Sequence, residues 1–427
     1  MSTTPEQNTP EQNTANAVAN ITTANGSNLL THSRLACAQL CLRKHFLRYE
    51  LGIRREKTDA PLRIGSAYHG ALECYDYGYS IEQVEQSVRM IYQDVPAWCE
   101  DTDAWLVEAE TVCALFWGHA HYWQNDQLQV VATERLFDLQ IFNPETGAAT
   151  PLWRKGGKLD RVVRLPDGRV ALQEYKTCSE DIGSESDYWR LLQIDTQISL
   201  YVLAARESAV IENRPDYNVD TILYDVTRKP DIRPRKIEVL DEAGLKQVYD
   251  QATGERVYNK NGKPRESANA ENGWLLVTRR ETPAEYGQRL REDISSRPQH
   301  YYARREIPRL ETDLLEYQHE LWQRQQLLRY CQRNGVWPMN AKACNQMGKC
   351  EYFDICTQRM NVHGELPAGF VRVTELHPEL AWPEPPAESA PAESADHTGS
   401  ATRAESAECV ESPQSETSEI NNHEREN

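Results

Sequence analysis

The sequence predicts an α/β or α+β fold, a mixed sheet flanked by helices, on three observations. Apolar and aromatic residues recur at helical spacing over 81–124. The period then changes to that of strands from Val130 to Lys176, broken by the turn signals NPETG (143–147) and Pro166-Asp167-Gly168. A helix-length segment, DYWRLLQIDTQISLYVLAAR (187–206), and an apolar run at 219–226 follow, giving the order helix, three-strand meander, helix, strand.

With 427 residues, 39% hydrophobic and 26% charged, the chain is long and apolar enough for one large domain or two to three ordinary ones. Wholly disordered, collagen-like and disulfide-scaffold classes are excluded. Residues 1–28 repeat TPEQNT without periodic hydrophobics and are expected to be disordered. Residues 29–365 are expected to form one domain with an internal loop at 257–275, where NKNGKPRESANAENG is polar and aperiodic, and 366–427 an acidic low-complexity tail containing PAESAPAESA. No run approaches the roughly 20 apolar residues that span a bilayer, and the N-terminus lacks a basic and apolar leader. The expectation is a cytoplasmic protein without export signal or membrane partner, of a bacterial cell or a phage-infected host.

Within 29–365, Leu35–Tyr49 is rich in helix formers with a basic face (Arg34, Arg43, Lys44, Arg48). Gly65-Ser66 is expected to open a second helix with Ser66 as N-cap, placing His69 and Glu73 one turn apart. Strands are expected at Val130–Phe142, Gly157–Leu165 and Arg169–Lys176, the last two joined by the Asp167-Gly168 turn. In the helix over 187–206, Gln193, Gln197 and Tyr201 are spaced by four and form a polar stripe on an apolar helix.

The hairpin brings Asp160 toward Glu174, and Glu174 and Lys176 share one face of their strand while Tyr175 points away. Two carboxylates and an amine then converge on one patch. Oxygen ligands of this kind suit Mg²⁺ or Mn²⁺, with His69 a competent nitrogen ligand for Mn²⁺. A metal there activates water and stabilises charge on a phosphate under attack, and the lysine positions the water or neutralises developing charge. An exposed hairpin with cross-strand ion pairs is the alternative.

In the order GSAYH, GKLD, EYK and QISLY, from His69 to Tyr201, the sequence resembles the RecB-type branch of the PD-(D/E)XK nuclease superfamily, whose motifs are a His, an Asp, a Glu-x-Lys and a Gln-x3-Tyr. The resemblance implies that His69, Asp160, Glu174 and the Tyr175 backbone carbonyl bind the metal. It makes Lys176 the catalytic lysine and has Gln197 and Tyr201 position DNA or the active-site lysine and strands. The implied reaction is hydrolysis of a phosphodiester bond by metal-activated water.

Eleven cysteines in a chain expected to stay in the cytoplasm point to metal ligation or buried thiols. Cys344, Cys350 and Cys356 lie within thirteen residues, and three thiolates call for a fourth ligand. RecB-type nucleases such as the AddB subunit and the CRISPR-adaptation nucleases carry one cysteine ahead of the His motif and three near the end of the domain, holding a [4Fe–4S] cluster that joins the domain's ends. The resemblance thus implies a cluster on Cys41, Cys344, Cys350 and Cys356, although the spacing here departs from the commoner Cys-x2-Cys-x5-Cys. Cys37 can replace Cys41, and four thiolates equally suit Zn²⁺.

The net charge of −18 is segregated. From Ala381 to Asn427 there are eleven acidic and two basic residues, whereas Arg228–Leu310 holds eighteen basic and thirteen acidic ones, so a basic surface is compatible with the acidic total. Arg228, Lys229, Arg233, Arg235 and Lys236 form a basic run suited to DNA phosphates, or simply a solvated loop. The reading is a metal-dependent DNA nuclease, most simply an exonuclease of recombination, repair or phage DNA processing, with a recombinase or single-strand annealing protein as partner. The absence of a G-x4-G-K-[ST] helicase motif resembles stand-alone phage members. The alternative is a non-catalytic DNA-binding or recombination-partner protein on a degenerate nuclease scaffold.

Overall fold

The structure is a computed structural model and describes residues 28–346, 348–377 and 380, all within the unit 1–389. Of the segments expected to be disordered or low-complexity, 1–28 and 366–427, residues 1–27, 378–379 and 381–427 lie outside the described residues.

Thr31 caps the first helix, α1 (His32–Leu40), its hydroxyl accepting the Arg34 N–H. The single helix expected over Leu35–Tyr49 is broken, because Cys41 is extended (φ −163°); α2 (Leu42–His45) follows and runs into a π-helical turn at 46–50. Arg34 does not join a basic face. It is buried, donating to Glu50 at 2.6 Å and to His45 at 3.2 Å.

The next helix, α3 (Ala60–Asp76), starts six residues before the expected cap Ser66, with Asp59 as N-cap and Pro61 in its first turn, where a missing N–H costs nothing. Gly65 and Ser66 are therefore interior. Gly65 serves close packing instead, since a Cβ there would sit 3.3 Å from the Thr177 hydroxyl. Two helices cover the expected 81–124 region. α4 (Ile81–Ile91) opens with a Ser80–Gln83 capping box, and α5 (Thr102–Tyr122) is capped by Asp101 and buried on nearly every side.

The meander is as expected in order but longer: β3 (Gln129–Phe142), β4 (Ala149–Arg164) and β5 (Val170–Cys178). The segment expected as one helix is two, α6 (Asp187–Leu192) and α7 (Thr196–Ile211), because the Asp195 side chain accepts the Gln197 N–H and starts a new helix. Gln193 ends α6, so the expected stripe keeps only Gln197 and Tyr201. β6 (Thr221–Arg228) then pairs in parallel with β5 across the α7 crossover.

A β-rich insertion follows. β7 (Lys236–Glu238) pairs with β10 (Thr278–Arg280) and β8 (Val248–Asp250) with β9 (Trp274–Leu276), so the expected loop at 257–275 sits inside paired structure and holds the bridge Tyr258↔Pro264. The chain continues through α8 (Pro283–Ser296), α9 (Pro298–Tyr301), β11 (Tyr302–Glu306), α10 (Glu311–Asn334) and α11 (Phe353–Thr357). β12 (Phe370–Arg372) pairs with β2 (Ile53–Arg55), so the tail boundary placed at 366 falls inside folded chain.

The main sheet has six strands in the order β1 (Leu29–Leu30), β4, β5, β6, β11, with β3 on β4; β5–β6 is parallel and β4–β5 antiparallel, which makes it mixed. One core lies beneath α7 and α10 with Leu172, Val226 and Ile222. The other lies beneath α3, α4, α5 and α8 with Tyr175, Tyr302 and Phe116. Successive residues of β5 thus point into different cores. No described helix is long and apolar enough to cross a membrane.

Candidate active site

Pairing between β4 and β5 runs from Arg164↔Val170 to Arg161↔Gln173 and then stops. At the next position the Asp160 side chain, not its backbone, takes the Tyr175 N–H, with Oδ2 accepting at 2.9 Å. The two strands part there, and the opening is lined by Asp160 and Glu174.

Glu174 Oε1 accepts from Lys176 Nζ at 3.0 Å and from Gln197 Nε2 at 2.7 Å, while Lys176 also donates to Gln197 Oε1. Gln197 is held in place by its helix start. The buried Arg309 guanidinium donates to the carbonyls of Leu192, Gln193 and Asp195, fixing the turn between α6 and α7. Tyr201, one turn further, packs on Gly157 and edge-on to Phe137, 5.8 Å between rings; a Cβ at Gly157 would meet the Phe137 ring at 2.7 Å and the Tyr201 ring at 3.1 Å. That close approach is why the Gly-x-x-Asp element carries glycine.

His69 Nδ1 lies 3.8 Å from Asp160 Oδ2, and its ring stands edge-on to Tyr175 at 6.3 Å. Burial lowers its pKa to about 4, against an opposing pull from Glu174, so at neutral pH it is an uncharged nitrogen donor. Burial raises Asp160 to about 6 against the Tyr175 N–H, Lys176 and Lys158, and raises Glu174 to about 8, with Asp160 adding to the second rise. Desolvation works against the Lys176 ammonium, but Glu174, Asp195 and Asp160 outweigh it and its pKa rises. Lys176 therefore stays charged.

Among the described residues no three His, Cys, Asp or Glu side chains form a ready metal cage. The donor set nonetheless fits a divalent cation. Glu174 Oε2 is buried without a hydrogen-bond partner, and burial raises both neighbouring carboxyls despite Lys176. Asp160 and Glu174 line the opening and His69 stands beside Asp160, without closing into a ready set of three ligands.

Two charged residues beside this centre escaped the sequence reading. Glu134 on β3 lies between the pairs Thr133↔Arg161 and Arg135↔Leu159, across from Asp160. Lys158 on β4 contacts Glu134 and lies 3.7 Å from Glu73. The alternation that placed Glu174 with Lys176 also places Lys158 with Asp160, and was the available signal.

The basic run is partly spent on internal contacts. Arg228 pairs with Asp231 at 3.0 Å, and Lys229 Nζ donates to the Pro61 carbonyl. The backbones of Arg233 and Arg235 meet Arg289 and Glu281. Arg235 keeps an exposed side chain, and Lys236 lies exposed in β7. Lys229 is near enough to the centre to lower His69.

At the chain's other focus, Cys41 Sγ accepts the Asn340 N–H at 3.4 Å, Cys344 Sγ lies 3.8 Å from the Asn340 carbonyl, and the Cys350 N–H donates to the Cys344 carbonyl. Burial raises the Cys356 thiol, with Cys350, Cys41 and Cys344 each adding to the rise against Arg43. The two ends of the domain are also tied here by Arg43 to the Trp337 carbonyl and Tyr352 to the Ile53 carbonyl.

A family profile described as the PD-(D/E)XK nuclease superfamily matches residues 29–357. Among solved structures, one titled "Crystal structure of SSO0001" matches at 11% identity over 66% of this chain and 85% of that one, with a TM-score of 0.22, too low to bear on the fold. No curated protein matches.

Proposed function

The chain belongs to the PD-(D/E)XK nuclease superfamily, a superfamily of metal-dependent nucleases, and from that premise we propose that it is a DNA exonuclease of recombination, repair or phage DNA processing. The observation that carries the reading is the convergence of Asp160, Glu174, Lys176 and Gln197 at the parting of β4 and β5, with one buried Glu174 oxygen left for a cation. The order of the four motifs, His69 to Tyr201, supports the RecB-type branch.

In this reading His69, Asp160, Glu174 and the Tyr175 carbonyl hold Mg²⁺ or Mn²⁺. A bound ion of this kind lowers the pKa of water and stabilises charge on phosphate oxygens. Lys176, kept protonated, orients the attacking water and offsets negative charge developing on the phosphate, and Gln197 fixes the ammonium relative to Glu174. Neutral His69 adds a donor without adding positive charge. Tyr201 holds α7 against the Gly157 backbone and so keeps Gln197 at its distance. Lys229, Arg233, Arg235 and Lys236 form the phosphate-binding rim, and a recombinase or single-strand annealing protein is the expected partner.

On the sequence pattern of Cys41 ahead of the His motif and Cys344, Cys350 and Cys356 at the domain's end, the reading extends to a thiolate-ligated [4Fe–4S] cluster or Zn²⁺ that joins the domain's ends, although among the described residues the four thiols form no ready cage. Cys350→Ser should remove brown colour and lower the melting temperature; a colourless wild type with stoichiometric zinc would assign Zn²⁺ instead.

The test of the enzyme is degradation of end-labelled linear DNA with Mg²⁺ or Mn²⁺, comparing wild type with Glu174→Ala. The expected result is metal-dependent loss of label that falls by roughly 10²–10³ or more in the variant, with closed circular DNA left intact. Nicking of circles would replace the exonuclease with an endonuclease, and cleavage unaffected by Glu174→Ala would refute the site.

A further inference from the structure

The residues assigned so far leave out a second charged group built against the same centre. Lys158 and Asp160 share one face of β4, and the Lys158 ammonium contacts the Glu134 carboxylate and lies 3.7 Å from Glu73. Both acids are buried, and Glu73 Oε1 has no hydrogen-bond partner. Glu134 holds a left-handed backbone (φ 51°), which a side chain of its size adopts only when its surroundings impose it. Around the opening between β4 and β5, four carboxyls (Glu73, Glu134, Asp160, Glu174) stand with two ammonium groups (Lys158, Lys176). When all four are ionised they exceed the ammonium groups by two negative charges, the charge of one divalent cation.

We propose that Lys158 is a resident cation standing in the position a second divalent metal would take between Glu134, Glu73 and Asp160, so that the centre binds one divalent ion and not two. The proposal rests on the nuclease reading of Asp160 and Glu174. Lys158 is thereby a positioning residue: it neutralises Glu134 and Glu73 and leaves Asp160 and Glu174 to the exchangeable ion. A purely structural salt bridge gives the same contacts but sets no ion count, and the two are separable by counting.

The experiment is Mn²⁺ titration of the full chain by calorimetry, with free ion followed by electron paramagnetic resonance, on wild type, Glu174→Gln, Lys158→Met and Lys158→Met/Glu134→Gln. The expected result is one tight ion for wild type, weakened at least tenfold in Glu174→Gln. Lys158→Met should take two ions, and the double variant, which removes both the cation and one of its acids, one. Two tight ions in wild type, or one in a folded Lys158→Met, would overturn the proposal while leaving the site in place. No ion in wild type would overturn the site itself. If Lys158→Met fails to fold without cation, its melting in excess Mn²⁺ decides the matter: refolding with two ions bound supports the proposal, and no recovery, or recovery with one ion, overturns it.

Discussion

Adjacent residues of β5 enter two polar sites of opposite character. Gln173, on the α5 side, donates to Asp225 Oδ2 at 2.9 Å, and the same oxygen receives His119 Nε2 at 3.0 Å and Arg304 Nε at 2.7 Å. Burial alone would raise the Asp225 carboxyl, but His119 and Arg304 outweigh it and hold the group far below the ordinary carboxylate range. Glu174, the next residue, is equally buried, yet burial and Asp160 raise it to about 8 despite Lys176. Sheet position and solvent access are shared, so the difference is the balance of charge. Each carboxylate keeps one buried oxygen without a hydrogen-bond partner, so what separates the sites is charge: Arg304 and His119 face Asp225, whereas Glu174 faces Asp160 and is short of positive charge until a cation arrives. That shortage is the physical mark of a site that binds, and it distinguishes function from scaffold where burial cannot.

The comparison breaks first at Asp225. Asp225→Ala takes the acceptor from His119 Nε2, Gln173 Nε2 and Arg304 Nε, leaving Arg304 its pair with Asp126, and should lower stability by about 2–3 kcal/mol, read as a shift in the denaturant midpoint, while cleavage per folded molecule is retained. A smaller loss, or cleavage lost by folded protein, would place Asp225 with the functional site. A milder cut is Gln173→Ala, which removes one of three donors and should cost about 1 kcal/mol by the same measurement. A loss as large as that of Asp225→Ala would mean that Gln173, not Arg304, closes the network.

How much of this was legible in the sequence follows from which contacts are local. Glu174 and Lys176 are two apart on one strand, and alternation alone puts them on one face. The Asp167-Gly168 turn fixed the hairpin, so Asp160 followed from counting; the register Arg161↔Gln173 is the one the turn dictates. Glu134 was not countable. β3 shifts register between Val130 and Ala132, and a bulge changes which residues face the site without leaving a residue pattern that announces it. Arg309 reaches the α6–α7 turn from more than a hundred residues downstream, a distance over which no period carries information. The break at Asp195 was readable, since aspartate one residue before a helical run is a cap, but the apolar period across 187–206 masked it. The start of α3 was misplaced for a related reason: Gly65 reads as a boundary, while its actual use is close packing against Thr177.

The central claim, that the Glu174 side of β5 is short of positive charge, is tested most directly by thermal melting of wild type and Glu174→Gln across pH 5 to 8, with and without Mn²⁺. A carboxyl raised from its ordinary value to about 8 costs the folded state nothing below the ordinary value, and its penalty grows as pH rises toward 8. Without divalent cation, wild type should lose stability over that window, and Glu174→Gln should lose less and melt higher at pH 8. Added Mn²⁺ should raise the melting temperature of wild type and leave the variant nearly unchanged. A variant that melts lower than wild type at pH 8 without cation, or that gains equally from Mn²⁺, would contradict the account.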